Sequence, residues 1–212
     1  MVKYFIKNPW WIKKIYPSYL WKVKTDEKVL FFTFDDGPYP VATNFVLDTL
    51  KDYDAKATFF CIGKNVELFP NIYERILSEG HSVGNHTYNH LNGWKTKDEL
   101  YLNDIFEASK IIKSGLFRPP YGRITSYQAR QIPPVLKNQS AKIVMWDVLS
   151  ADFDTEKNSE QVYNNVVRNA TPGSIIIFHD SEKAFPRLKP ALPKILKYFS
   201  EKGFSFKSIS QE

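Results

Sequence analysis

The chain has 212 residues, 43% of them hydrophobic and 16% aromatic, enough for one substantial core and one domain. Its net charge of +6 is concentrated: residues 1–28 hold seven lysines against two acidic residues, a net of +5, which leaves +1 for the rest and excludes a whole-domain nucleic-acid footprint. The single cysteine, Cys61, excludes an intrachain disulfide, and no run reaches the ~18 apolar residues of a membrane-spanning helix.

In chain order, residues 1–28 read as a basic aromatic strap ahead of a domain spanning 29–212. The stretch YFIKNPWWIKKIYPSYLWKVK holds Trp10, Trp11 and Trp21 among lysines. Lysines interrupt it too often for a secretory signal. The expected arrangement packs the aromatics on the domain with the lysines outward; a membrane-surface contact through the same residues is the alternative. With neither signal nor span, a cytoplasmic or membrane-peripheral setting is expected over an exported one.

From residue 28 onward short apolar runs alternate with helical patterns. Strands are predicted at 29–34, 57–62, 82–85, 116–118, 142–146, 174–178 and 204–209. Several are continuously apolar, as parallel strands covered on both faces require. Helices are predicted over 65–78, stopped near Gly80; after a Thr96–Glu99 capping box, through Ile105, Ala108 and Ile112, to Gly115; after a Ser159 cap, with Val162 and Val166; and over 191–202, ending at Gly203. The alternation implies a parallel α/β fold. About seven units fall short of an eight-fold barrel of ~250 residues, so a distorted or incomplete (β/α) barrel is expected.

Polar residues gather at the predicted strand ends, where such barrels carry chemistry. Asp35 and Asp36 end the first run; His86 and His90 follow the third; RPPYG, residues 118–122, follows the fourth; WDVLSADF trails the fifth; His179 and Asp180 end SIIIFHD. In HTYNH the two imidazoles lie four residues apart, so on a helical turn both face one way and can share a cation. An oxygen from Asp36 completes a two-histidine, one-carboxylate set suited to one divalent metal: Zn2+ first, with Co2+ or Ni2+ also compatible. His81 does not match the pair's spacing and reads as structural. Asp35 then stands beside the cation as general base, its charge repulsion with Asp36 offset by the metal. Adjacent strand residues face opposite sides, so both aspartates reach one site only if the alternation breaks near Gly37-Pro38.

TFDDGP, AKATFFCIG, GHSVGNHTYNH, RPPYG, WDVLSADF and SIIIFHD, in that order, resemble the motif series of the NodB-homology polysaccharide deacetylases (carbohydrate esterase family 4) over roughly residues 29–180. The ordered set is far more specific than any one motif. The resemblance implies a metal-dependent hydrolase that removes N-acetyl groups from amino sugars of a chitin-like or peptidoglycan-like glycan. Position by position it implies Asp35 as catalytic base, Asp36, His86 and His90 as metal ligands, and Arg118 as the residue orienting the base. It further implies a Tyr121 backbone N–H for the oxyanion, His179 as general acid, Asp152 as its partner, and Ile177 lining the acetyl pocket.

Two positions depart from that pattern. Phe153 stands where tryptophan is common, and Leu149 where an acidic residue is frequent; both bear on substrate fit, and the smaller Phe153 ring is expected to widen the pocket. The rival readings are an O-acetyl esterase on acetylxylan, a deformylase or deacetylase of a membrane-linked sugar, and, from another class, a catalytically silent carbohydrate-binding module. The intact Asp35, Asp36, His86, His90 and His179 set weighs against the last. The chain has no G-x-S-x-G, which weighs against a serine hydrolase.

Overall fold

The computed structural model describes residues 4–210; the first three residues of the expected strap and the last two of the expected 29–212 domain lie outside them. In chain order the elements are α1 (Trp10–Ile15), β1 (Val29–Asp35), α2 (Pro40–Lys51), β2 (Thr58–Cys61), α3 (Gly63–Leu68), α4 (Pro70–Ser78), β3 (Ser82–Asn85), α5 (Asp98–Ser109), β4 (Leu116–Phe117), a 3-10 turn at Pro120–Gly122, α6 (Ser126–Arg130), α7 (Ile132–Val135), β5 (Lys142–Ile143), β6 (Val148–Leu149), α8 (Ser159–Val167), β7 (Ile175–His179), α9 (Phe185–Glu201) and β8 (Ser205–Phe206). Every pairing between strands is parallel, in the order β5-β4-β3-β2-β1-β7-β6, with β8 against the start of β1. The sheet curls into an incomplete barrel of seven strands, as expected.

Period-two alternation in the central strands decides what faces where. Leu30, Phe32 and Phe34 of β1, Phe59 and Cys61 of β2, and Ile176 and Phe178 of β7 pack outward on α2, α8 and α9. Phe34 stacks between Phe59 and Phe178 at ring-centroid distances of 5.2 and 5.5 Å. The intervening residues face the barrel interior, where Phe31, Phe60, Leu116, Val144 and Ile175 form a second cluster. Thr33 and Asp35 continue that inward row, so the first catalytic candidate is the last rung of a strand buried along its whole length. Gly84 belongs to the same layer: a Cβ there would lie 2.4 Å from the Phe60 ring.

The gap between β5 and β6 is lined by the N-terminal segment. Leu20 bridges to Val144 beyond β5 in parallel, Lys7 to Val148 of β6 antiparallel, and Lys22 to Ser174 antiparallel. Trp21 is buried and its indole N–H donates to the Tyr16 carbonyl at 3.0 Å, while Trp10 and Trp11 of α1 remain exposed. None of the described helices is long and apolar enough to cross a membrane.

Several local expectations are corrected. The predicted 65–78 helix is two helices, broken at Phe69 because Pro70 opens the second. No capping box forms at Thr96–Glu99; Lys97 precedes α5 without a side-chain cap, and Asp98 instead accepts from Gln128 Nε2 at 2.8 Å. Asn158, not Ser159, caps α8, in a box with Gln161. Residues 148–149, outside the predicted strands, form β6, and the 142–146 strand is reduced to two residues.

Candidate active site

Asp35 closes β1, and Asp36 breaks the strand with φ 81°, a left-handed conformation that aspartate tolerates better than most residues. The change of hand falls one residue before the expected Gly37-Pro38, and it turns both carboxylates toward one site. The turn is pinned from three sides: Asn65 Nδ2 donates to the Asp36 carbonyl at 2.7 Å, Asp180 accepts the Gly37 N–H at 3.1 Å, and the Thr43 hydroxyl donates to Asp180. Gly37 has no room for a side chain, since a Cβ would meet Asp180 Oδ2 at 2.1 Å. Asp180 is fully buried, and burial pushes its carboxyl up to about 7.

His86 and His90 do not lie on a helical turn. They occupy the loop after β3, where positive φ at Thr87 (64°) and His90 (58°) folds the chain so that the i, i+4 pair faces one point. Buried groups hold this irregular backbone. Asn85 Oδ1 accepts the Thr87 N–H at 2.8 Å, and Asp104 of α5 accepts the Tyr88 and Asn89 N–H groups, each at 2.9 Å. Asp104 was not singled out from sequence, although a carboxylate among Tyr101, Ile105 and Ala108 on the buried face of α5 is itself the signal.

The Nδ1 of His86 lies 2.7 Å from the Arg118 carbonyl, which can only accept, so that nitrogen carries the proton and the Nε2 lone pair faces the site. Burial lowers the pKa of His86 to about 4, keeping it neutral as ligation requires. His86 Nε2 and His90 Nε2 lie 3.7 and 3.2 Å from Asp36 Oδ1. Donors ~2.1 Å from a tetrahedral centre stand roughly 3.4 Å apart, so the three groups match a small divalent cation. Burial opposes the charge of Asp36, but the His90 hydrogen bond and the nearby histidines hold it well below the usual carboxylate range.

Arg118 is fully buried and every arm is satisfied. Its Nε donates to the Val144 carbonyl at 3.0 Å and Nη2 to the Met145 carbonyl at 2.9 Å. Nη1 donates to Thr33 Oγ1 at 2.8 Å and Asp35 Oδ1 at 2.6 Å, and the guanidinium lies 4.0 Å over the Phe60 ring. With Oδ1 committed, the other oxygen of Asp35 turns toward His86 Nε2, 3.8 Å away.

His179 is the β7 residue in register with Asp35 on the neighbouring strand. Its Nδ1 is 2.7 Å from Asp152 Oδ1, and its backbone N–H donates to Asp152 Oδ2 at 2.8 Å, which leaves Nε2 free for the cleft. Burial alone would lower its pKa; the Asp152 charge and hydrogen bond outweigh that and push it up to about 9. Phe153 meets the imidazole edge-on at 5.1 Å. The space beside Phe153 is taken by Tyr4, 5.6 Å away and also edge-on. Ile177 joins Leu149 and Ala151 in a small buried apolar cluster next to this histidine. Tyr121 stands at the rim with φ 60° and an exposed ring 4.7 Å from His90. His81, by contrast, is turned away: its Nδ1 accepts the Ala57 N–H at 3.1 Å, a structural contact.

A model of the family described as polysaccharide deacetylase matches residues 22–146. A peptidoglycan-N-acetylglucosamine deacetylase of Bacillus cereus is 36% identical over 197 residues, covering 90% of this chain and 91% of that one. A chitooligosaccharide deacetylase of Azorhizobium caulinodans is 33% identical over 166 residues, covering 75% and 77%. The crystal structure of the Bc1960 peptidoglycan N-acetylglucosamine deacetylase superposes with a TM-score of 0.85 at 34% identity, covering 95% of this chain and 97% of that one. Sequence match, fold and the placement of the motif residues agree: the chain belongs to the polysaccharide deacetylases of the NodB-homology type.

Proposed function

We propose that this hydrolase removes N-acetyl groups from glucosamine-type residues of a peptidoglycan-like glycan, with one divalent metal, zinc, held by Asp36, His86 and His90. The observation that carries the reading is the junction of a buried, arginine-held carboxylate with a histidine pair and a second aspartate, opposite a protonated histidine. The relatives named for peptidoglycan support the substrate class. The Bc1960 relative was solved with an N-hydroxybenzamide, a hydroxamic acid, and that class chelates divalent cations.

A divalent cation held by Asp36, His86 and His90 would supply Lewis acidity at this point of the cleft. Asp35, its Oδ1 fixed by Arg118, takes the proton of the attacking water through Oδ2. The Tyr121 backbone N–H donates to the oxyanion as the carbonyl carbon becomes tetrahedral, a type of contact worth ~3 kcal/mol. His179 then gives its Nε2 proton to the sugar nitrogen, the C–N bond breaks, and acetate and a free amine leave.

This assignment fixes a pH dependence. The protonated His179 is the active form, so turnover is expected to persist into alkaline pH and fall as pH rises through about 9. Asp152→Asn should move that limb down toward the ordinary ~6.5 of histidine; a limb unmoved in the folded variant removes Asp152 from the role. Because unfolded histidine titrates near ~6.5, the raised value also stabilises the fold fully below that pH, and this contribution is lost as pH rises through about 9.

Acetate release from peptidoglycan fragments, N-acetylchitooligosaccharides and acetylxylan, before and after chelation and zinc readdition, tests the function. Release from the N-acetylated glycans, lost on chelation and restored by zinc, is expected. Release from acetylxylan alone would make it an O-acetyl esterase, and no release from any arm would leave a binding module.

A further inference from the structure

The N-terminal segment continues past the barrel gap to the catalytic histidine. The Leu149 N–H donates to the Ile6 carbonyl at 2.8 Å and the Asn8 N–H to the Asp147 carbonyl at 3.0 Å, so residues around Lys7 add a short antiparallel rung to the free edge of β6. In an extended rung, alternate side chains share a face. Tyr4 and Ile6 accordingly lie together against the Leu149, Ala151 and Ile177 cluster, beside Phe153 and Trp146. Lys7, on the other face, reaches the fully buried Asp147 at 2.5 Å, and Lys13 of α1 takes the second oxygen of the same carboxylate, also at 2.5 Å. Ser174 adds a third donor at 2.6 Å. The segment is therefore fastened to the barrel by a buried carboxylate that both lysines contact.

At the end of this fastened strap the Tyr4 hydroxyl donates to Asp154, and its ring meets Phe153 edge-on at 5.6 Å. Phe153 in turn meets His179 edge-on at 5.1 Å. Ile177, two residues before His179 on the same inward face of β7, touches the same cluster. An acyl group delivered between Asp35 and His179 thus has the strap's side chains behind the residues it would touch.

We infer that Tyr4 and Ile6 complete the acyl pocket from outside the motif-bearing domain, and that Tyr4 is a positioning residue holding Phe153 against His179, so that the N-terminal segment sets which acyl group the enzyme accepts. The inference rests on the deacetylase reading. Removing the Tyr4 ring opens the pocket by more than a methylene, and one methylene in an apolar pocket shifts discrimination by ~10-fold or more.

The test compares full-length wild type, Tyr4→Phe, Tyr4→Ala and Ile6→Ala on glucosamine oligomers carrying N-acetyl, N-propionyl or N-butyryl groups, with zinc content and thermal unfolding measured alongside. Tyr4→Ala is expected to lower kcat on the N-acetyl substrate and to raise the propionyl-to-acetyl ratio of kcat/KM about tenfold, with zinc content unchanged. Ile6→Ala should raise the ratio in the same direction, and Tyr4→Phe, which keeps the ring, should retain the wild-type ratio. A folded, zinc-loaded Tyr4→Ala protein with the wild-type ratio overturns the inference while leaving the deacetylase intact. If Tyr4→Ala does not fold, Ile6→Ala decides by the same ratio. Wild type that frees no acid from any oligomer removes the deacetylase reading and this inference with it.

Discussion

Asp35→Asn is expected to keep its zinc and lose 10²–10⁴-fold in kcat, the range a general base contributes. The asparagine oxygen can still accept from Arg118 Nη1, so the local geometry survives, but the amide cannot take a proton from water. The three proposed ligand atoms belong to Asp36, His86 and His90 and are untouched. A second effect accompanies the first. Arg118 is fully buried and Asp35 is its only carboxylate partner among the described ion pairs, so neutralising that partner leaves a guanidinium served by neutral oxygens alone. Breaking a buried ion pair can cost up to about 3–5 kcal/mol; an isosteric amide that keeps one hydrogen bond should fall at or below the lower end. Kinetics, metal analysis and thermal unfolding on one preparation separate the effects. An Asp35→Asn enzyme within tenfold of wild type, with full zinc, would end the assignment of Asp35 as base.

That pairing also shows what a sequence can and cannot disclose. The buried first strand was legible, because a continuously apolar run stopped by a carboxylate pair fits a parallel strand covered on both faces; which of its rungs face inward was not. The order of the motifs placed Asp36, His86, His90, Arg118 and His179 at strand ends, and the fold brings them to one rim. Asp152 beside His179 was named through the family resemblance, but the carboxylates that fix the loops were not legible. Asp180 meets Gly37 across 143 residues, Asp104 meets the HTYNH backbone across 15 and 16, and Asp147 meets Lys7 across 140. Each is a buried carboxylate whose role depends on groups that only the folded chain brings near.

Local errors have local causes. HTYNH was read as a helical turn from its spacing alone, yet the pair converges through two left-handed residues in a loop, a geometry that no periodicity announces. Pro190 lies inside α9 and hid the turns before it, where burial of Leu188 and Ala191 outweighs the proline's cost. α2 was not predicted: β-branched Val41, Thr43, Val46 and Thr49 dilute its helical signal, although Pro40 at the first turn and buried Ala42, Val46, Leu47 and Leu50 carry it.

Asp36→Ala is expected to abolish metal uptake, lowering zinc affinity by more than the ~10–100-fold that follows from disturbing an outer-shell partner. The two imidazoles remain, and they lack the negative charge that offsets the cation's desolvation. The alanine brings a complication of its own: position 36 has φ 81°, which favours Asp, Asn or Gly over alanine. Asp36→Gly removes the strain and the ligand together, and Asp36→Asn keeps the conformation with a weaker, neutral oxygen. Zinc content should therefore be lost in the alanine and glycine variants alike and reduced in the asparagine variant, with thermal unfolding separating the alanine from the glycine by its backbone cost. The Asp35–Arg118 pair should stay in place in all three, because its hydrogen bonds lie on the inward face of β1 and not in the turn. Stoichiometric zinc retained by folded Asp36→Gly would show that the histidines find their third ligand elsewhere, and the site would have to be rebuilt around Asp35.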